Sequence, residues 1–316
     1  MKDLNTGKIR NVCLLSHGGH GKTTLAEAML FNTGVLERFG KVEDGTTTSD
    51  YDPEEIKRRN SLFMSICPCE WKNHKINIID VPGYFDFVGE VKQGIRVSDS
   101  ALILVSAKSG VEVGTEKAWE YVNERKIPKM FFINKMDEEN ADFNKVFDQL
   151  VDTFGKSVIA AELPIIEGGK FVGCVNVVNM KAYKFGKDKL EEVEIPSDLK
   201  DKIEEARNVL NEAVAETDEE LMEKFFDGQE FTAEEVNNGL KSGIENGFIT
   251  PVFLGSAVNN LGVKNLMDSI IDLMPAPSNQ KIVKAKKKDS DEICELEISK
   301  DAPLSALVFK TIADPF

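Results

Sequence analysis

Short apolar runs recur along the chain with helix-spaced segments between them. Residues 9–15, 75–79, 101–105, 129–133 and 250–254 are brief, apolar and rich in β-branched side chains. Runs of that length, bounded by turn residues, predict strands buried in a mainly parallel sheet. Leu25, Met29 and Leu30 repeat at helical spacing, with Gly34 as a stop. Further helices are expected near 88–97, 113–125, 140–153 and 262–273, the last ending before Pro275 and Pro277. Residues 62–71 and 75–79 predict a hairpin turning at Lys72-Asn73-His74. Residues 34–60 are polar and irregular and are expected to form a long loop.

The strand–helix rhythm breaks after residue 157 and resumes at residue 250. Between them, 160–185 predict short strands turning at Gly168-Gly169 and Gly186, and 197–245 predict acidic helices. The expected organisation is an α/β domain (1–157 and 250–278) carrying an inserted α+β subdomain (158–249). A basic linker (279–300) with Lys286-Lys287-Lys288 follows, then a β element starting at 301–316. That element, Leu304 to Ile312, has no partner strand in the sequence, so the chain is expected to be part of a longer protein.

Composition narrows the function classes. In 316 residues, 41% hydrophobic content fits a core-forming chain. The net charge of −15 argues against gripping a phosphate backbone, so no DNA partner is expected. Residues 201–250 hold 14 Asp/Glu against 4 Lys/Arg, a solvated face or a docking face for a basic partner. The five cysteines match no zinc spacing and are expected as reduced thiols. The three histidines form no metal pair, and there is neither a signal core nor an apolar run approaching 18 residues. A cytoplasmic, membrane-free, monomeric chain is expected.

The candidate chemistry starts at Ser16-His17-Gly18-Gly19-His20-Gly21-Lys22-Thr23-Thr24. A strand, a glycine-rich turn and a helix opening on Lys-Thr is the context of a phosphate-binding loop. Its amides from His17 to Thr24 would cradle phosphates, Lys22 would reach the β- and γ-phosphates, and Thr23 would ligate Mg²⁺. An ordinary glycine-rich turn is the alternative. Beside such a loop, residues 34–60 are expected to switch with nucleotide state. Asp80-Val81-Pro82-Gly83 at a strand's carboxyl end offers a carboxylate to the Mg²⁺ shell and the Gly83 N–H to the γ-phosphate. Asn134-Lys135-Met136-Asp137 carries base choice. Asp137 can accept from guanine N1–H and its exocyclic amine, whereas adenine leaves that carboxylate unpaired. Asn134 would brace the loop, and the Lys135 stem would lie along the base.

These motifs in this order resemble those of translational GTPases. Asp44-Gly45-Thr46-Thr47 with Asp50, Asn134-Lys135-Met136-Asp137, Gly255-Ser256-Ala257, the insert, and Ala302-Pro303-Leu304 to Asp314-Pro315-Phe316 resemble elongation factor G over essentially the whole chain. The resemblance implies a P-loop GTPase domain with an inserted subdomain and the start of a β-barrel domain. It implies GTP/GDP and Mg²⁺ as cofactors, Ser256 and Ala257 at the guanine O6 side, and the ribosome with its stalk proteins as partner. Ser16 and Gly19 depart from the family's Gly and Asp. An ungapped comparison from Trp71 backwards puts Arg59 at the switch motif's Gly and Ser61 at its Mg²⁺-binding Thr. Tyr84 stands where the family has the His that orients the attacking water, so Lys22, Gly83 and Tyr84 are the catalytic candidates. The departures resemble the divergent elongation factor G-like (type 2) paralogues. A GTP-held ribosome-binding module and a protection- or release-type GTPase remain as alternatives.

Overall fold

The computed structural model describes residues 5–186, 190–280, 282–299 and 301–312. Element order follows the periodicity closely. The first half holds β1 (Ile9–Ser16), α1 (Lys22–Asn32), α2 (Pro53–Arg58), β2 (Ser65–Trp71), β3 (His74–Asp80) and α3 (Val88–Arg96). Next come β4 (Ser100–Ser106), α4 (Val113–Glu124), β5 (Lys129–Asn134), α5 (Phe143–Phe154) and β6 (Val158–Ala160). The middle region comprises β7 (Glu162–Glu167), β8 (Lys170–Asn176), β9 (Lys181–Phe185), β10 (Leu190–Val193), α6 (Lys200–Ala215), α7 (Glu219–Phe226) and α8 (Ala233–Glu245). The chain closes with β11 (Thr250–Leu254), α9 (Val263–Leu273), β12 (Ile282–Lys286) and β13 (Ile293–Glu297).

A seven-stranded sheet in the order β2-β3-β1-β4-β5-β11-β6 organises the molecule, with only β2 antiparallel. Its central strands are fully buried, including Val12–Leu15, Leu102–Val105 and Phe131–Ile133. Helices therefore cover both faces, as an all-apolar strand requires. α1 and α9 pack together on one face; α3 and α4 pack against β1 on the other. There Trp119 of α4, Phe131 and Phe154 form a three-ring cluster, with the Trp119 centroid 5.6 Å from Phe131 and 4.6 Å from Phe154.

The middle region forms a separate antiparallel sheet, β10-β9-β8-β7, with α6 packed against α7 and α8. It meets the main sheet at a buried polar knot. The Glu162 carboxylate lies 3.5 Å from Leu254 N–H and from Asn265 Nδ2, and 3.6 Å from Cys174 Sγ. Burial pushes that carboxyl up to about 7.

Four features differ from the sequence expectation. The hairpin turn is two residues, Lys72 and Asn73 at φ 42 and 62, and His74 already pairs with Trp71. Those positive angles match the twist of the flanking strands. The 34–60 stretch is not structureless: Asp52 caps α2 through Glu54 N–H at 2.8 Å while Glu55 reaches back to Asp52 N–H at 3.2 Å. Val158–Ala160 extends the main sheet by pairing with β11, so this part of the expected insert belongs to the main sheet. The expected linker holds the exposed β12–β13 ribbon, because alternation over 282–286 and 293–297 suits two short paired strands. Residues 303–312 carry no regular secondary structure, and Asp314-Pro315-Phe316 lie outside the described residues. Among the described residues no helix is long and apolar enough to cross a membrane.

Candidate functional site

The carboxyl ends of β1, β3, β5 and β11 point their loops into one cleft of about 440 Å³, a ligand-sized volume. Gly18, Lys22 and Gly83 line one end; Asn134, Lys135 and Val258 line the other.

The β1–α1 loop turns because Gly19 and Gly21 adopt φ 81 and 89. At Gly21 a Cβ would meet Asn134 Nδ2 at 2.6 Å, so the close approach itself requires glycine. Lys22 opens α1 and folds back to donate to Ser16 Oγ at 2.8 Å. It is 6% exposed. Burial pushes its ammonium down to about 8, against the pull of Asp80. Gly83 is equally tight, since a Cβ there would sit 2.5 Å from Lys22 Nζ. The Tyr84 ring lies over Gly18, 3.0–3.3 Å from where a Gly18 Cβ would be.

Beneath Lys22, Thr23 Oγ1 and Ser49 Oγ each donate to Asp80 Oδ2 at 2.9 Å, and Thr23 Oγ1 lies 3.1 Å from Ser61 Oγ. Asp80 is 1% exposed, and its Oδ1 and that of Asp50 are buried without a partner. Burial raises both carboxyls: Asp80 against the pull of Lys22, and Asp50 to about 6 against its hydrogen bond to Ser61. Two hydroxyls and two buried carboxylates with open oxygens fit a hard divalent cation such as Mg²⁺. The metal candidates Thr23, Ser61 and Asp80 thus lie together, with Asp50 and Ser49 beside them.

The two loop histidines face elsewhere. His20 is buried, with Nδ1 3.3 Å from Leu104 O and Nε2 2.5 Å from Glu112 Oε2. His17 Nδ1 accepts from Gly114 N–H at 3.3 Å. Their side chains brace the loop against α4, leaving backbone contacts to any ligand. Thr24 lines the cleft.

The far end is cross-tied. Asn134 Nδ2 donates to His20 O, and Asn134 Oδ1 accepts from Ala257 N–H, both at 2.9 Å. One side chain therefore joins the phosphate loop to the β11–α9 loop. Lys135 sits at φ 67 with its ammonium 3.0 Å from Glu138. Asp137 is exposed and accepts from Asn259 Nδ2 at 2.9 Å. Ser256 and Leu261 exchange backbone bonds at 2.9 Å, holding buried Ser256 and Ala257.

Sequence reasoning did not pick out Glu27, Glu55 or Asn259. Buried Glu27 accepts from Thr48 N–H, and buried Glu55 from Leu62 and Phe63 N–H at 2.8 and 3.0 Å. Asp52-Pro53-Glu54-Glu55 was a legible capping signal; nothing in the sequence marked Glu27 or Asn259. Arg59 ends α2 at φ 56, ψ 38, a conformation costing a non-glycine residue about 1–2 kcal/mol.

The lysine-bearing loop, the hydroxyl–carboxylate cluster under it and the braced Asn-Lys-x-Asp loop together define a P-loop GTPase domain. The chain belongs to the family of the elongation factor Tu GTP binding domain, whose model matches residues 7–276, and is thus a translational GTPase domain. It is similar to the protein ttk003000868 from Thermus thermophilus, whose crystal structure matches with TM-score 0.83 and 37% identity, covering 87% of this chain and 41% of that one. The chain therefore spans less than half the length of that protein.

Proposed function

We propose that this chain is the nucleotide-binding part of an elongation factor G-type translation factor that hydrolyses GTP on the ribosome. The observation that carries the reading is the set of buried Lys22, Thr23 and Asp80 with half-buried Ser61 below the glycine loop. The Lys22 ammonium and the loop amides offset phosphate charge. Thr23, Ser61 and Asp80 would hold Mg²⁺, which when bound neutralises charge on the β- and γ-phosphate oxygens. Gly83 N–H would sense the γ-phosphate. Tyr84, stacked on Gly18, can offer its hydroxyl to a water but cannot accept a proton as an imidazole does. Asp137 would pair with guanine N1–H and amine, with Asn134 bracing, the Lys135 stem along the base, and the Ser256–Ala257 backbone at O6. Asn259 would yield its bond to Asp137. The inserted acidic helices support the elongation factor G type, closest to its type 2 paralogues, and would face the stalk proteins. A cytoplasmic monomer is part of this reading.

GTP turnover by the full protein, with and without ribosomes, tests it alongside Tyr84→His and Tyr84→Phe. Strong ribosomal stimulation of the wild type is expected. A second reading is favoured by one observation: among the described residues no histidine lines the cleft. In that reading the chain is a GTP-held binding module. Tight GTP binding without stimulation, and activity gained in Tyr84→His, would select it.

A further inference from the structure

We infer that Arg59 is a catalytic residue, supplied from within the chain to the terminal phosphate during hydrolysis. The inference rests on the GTPase reading above. Three observations converge on this side chain. It is exposed and lines the same cleft as Lys22, Thr23, Ser61 and Gly83. It is held at φ 56, ψ 38 by the end of α2, a left-handed conformation that glycine adopts freely and arginine does not. Strain of that kind at a cleft points to a local requirement for the side chain. Finally, its guanidinium has no partner among the described residues. The neighbouring cations are occupied: Lys135 by Glu138 at 3.0 Å, Arg58 by Glu54 at 3.2 Å, and Lys22 by Ser16 at 2.8 Å.

The chemistry asks for such a cation. Water oxygen forms a bond to the γ-phosphorus as the bond to the β–γ bridging oxygen breaks. That bond's electron pair leaves on GDP, and a water proton ends on the released phosphate. Negative charge spreads over the bridging and equatorial oxygens in the transition state. Glu43, Asp50 and Glu138 line the same cleft and add negative charge, and the Lys135 ammonium there is held by Glu138, so a further cation beside Lys22 and Mg²⁺ would serve the terminal phosphate. A planar guanidinium can donate to two phosphate oxygens at once. The end of α2 therefore closes the helix and places Arg59 in the wall of the same cleft as Lys22 and Gly83.

Arg59→Gly is the informative variant, because glycine relieves the left-handed strain and keeps the fold. Single-turnover GTP hydrolysis by the full protein on ribosomes is measured with Arg59→Gly and Arg59→Lys. Fluorescent GDP binding with and without aluminium fluoride is measured in parallel. The inference predicts that Arg59→Gly loses at least about tenfold in hydrolysis and loses the fluoride-dependent tightening. Its affinity for GDP alone stays within about twofold, and Arg59→Lys recovers part of the rate. An Arg59→Gly protein that hydrolyses within about twofold of wild type and still tightens with aluminium fluoride overturns it. A wild type that binds GDP but neither hydrolyses GTP nor responds to aluminium fluoride overturns it together with the hydrolase reading. A wild type that takes no GDP at all removes nucleotide binding as well.

Discussion

The two ends of the cleft are built on opposite plans. At the Asn134 end the polar groups already have partners: Asn134 joins two loops, Lys135 meets Glu138, and Asp137 meets Asn259. At the Lys22 end, Asp50 Oδ1 and Asp80 Oδ1 are buried with none. A buried unpaired polar group costs about 1–3 kcal/mol, so the second end is held in a state that a ligand would relieve. The contrast separates two tasks. A base reader works best rigid, whereas a phosphate sensor must gain bonds when the γ-phosphate and cation arrive. Glu27 and Glu55 limit how far the sensing segment strays, since both hold its backbone by amide bonds.

Breaking the rigid end should have the largest effect. Asn134→Ala leaves His20 O and Ala257 N–H buried and unpaired, a loss of about 2–4 kcal/mol in urea unfolding. Binding of any guanine nucleotide should fall with it, by calorimetric titration. A loss confined to binding, with stability intact, would mean the brace is not structural.

Glu162 sharpens the contrast as a buried carboxylate outside the cleft. Its folded-state value of about 7 exceeds the ordinary 4.5, so the folded chain binds more protons between those values. Stability therefore falls as pH rises through that window; the penalty is absent below 4.5 and complete above about 7. Glu162→Gln should stabilise the protein by up to about 3 kcal/mol at pH 8 and hardly at pH 4.5. Thermal melts at the two pH values check this, and Mg²⁺ should not alter the difference.

Asp50→Asn is the smaller counterpart within the cleft. Removing that buried charge should raise metal-free stability by about 1 kcal/mol and shrink the further gain given by Mg²⁺ with a GTP analogue. Equal Mg²⁺ gains in variant and wild type would remove Asp50 from the cation's surroundings.

The sequence carried the sheet well because continuous apolar runs such as 101–105 and 129–133 have few other solutions. Lys22, Thr23 and Asp80 were legible for a related reason: each sits at a helix or strand end whose place the pattern determines, whereas Ser61 was reached only through the family resemblance. Side-chain direction was less legible. His17 and His20 stood in the loop motif, yet their rings turn toward Glu112, a residue 92 positions from His20. The order within 34–60 was partly hidden: the Asp52–Glu55 cap was legible, but its other anchor, Glu27, looks like an ordinary surface helix acid in one dimension. The β12–β13 ribbon was masked by lysines that alternate with apolar residues on an exposed pair of strands.

Amide hydrogen exchange in Mg²⁺ with GDP and with a non-hydrolysable GTP analogue tests the central contrast most directly. The account predicts that the analogue protects residues 40–64 well beyond GDP, while 134–137 and 255–259 are protected equally by both. Equal protection of 40–64 in the two states, or a difference that appears in the base loops instead, would contradict it.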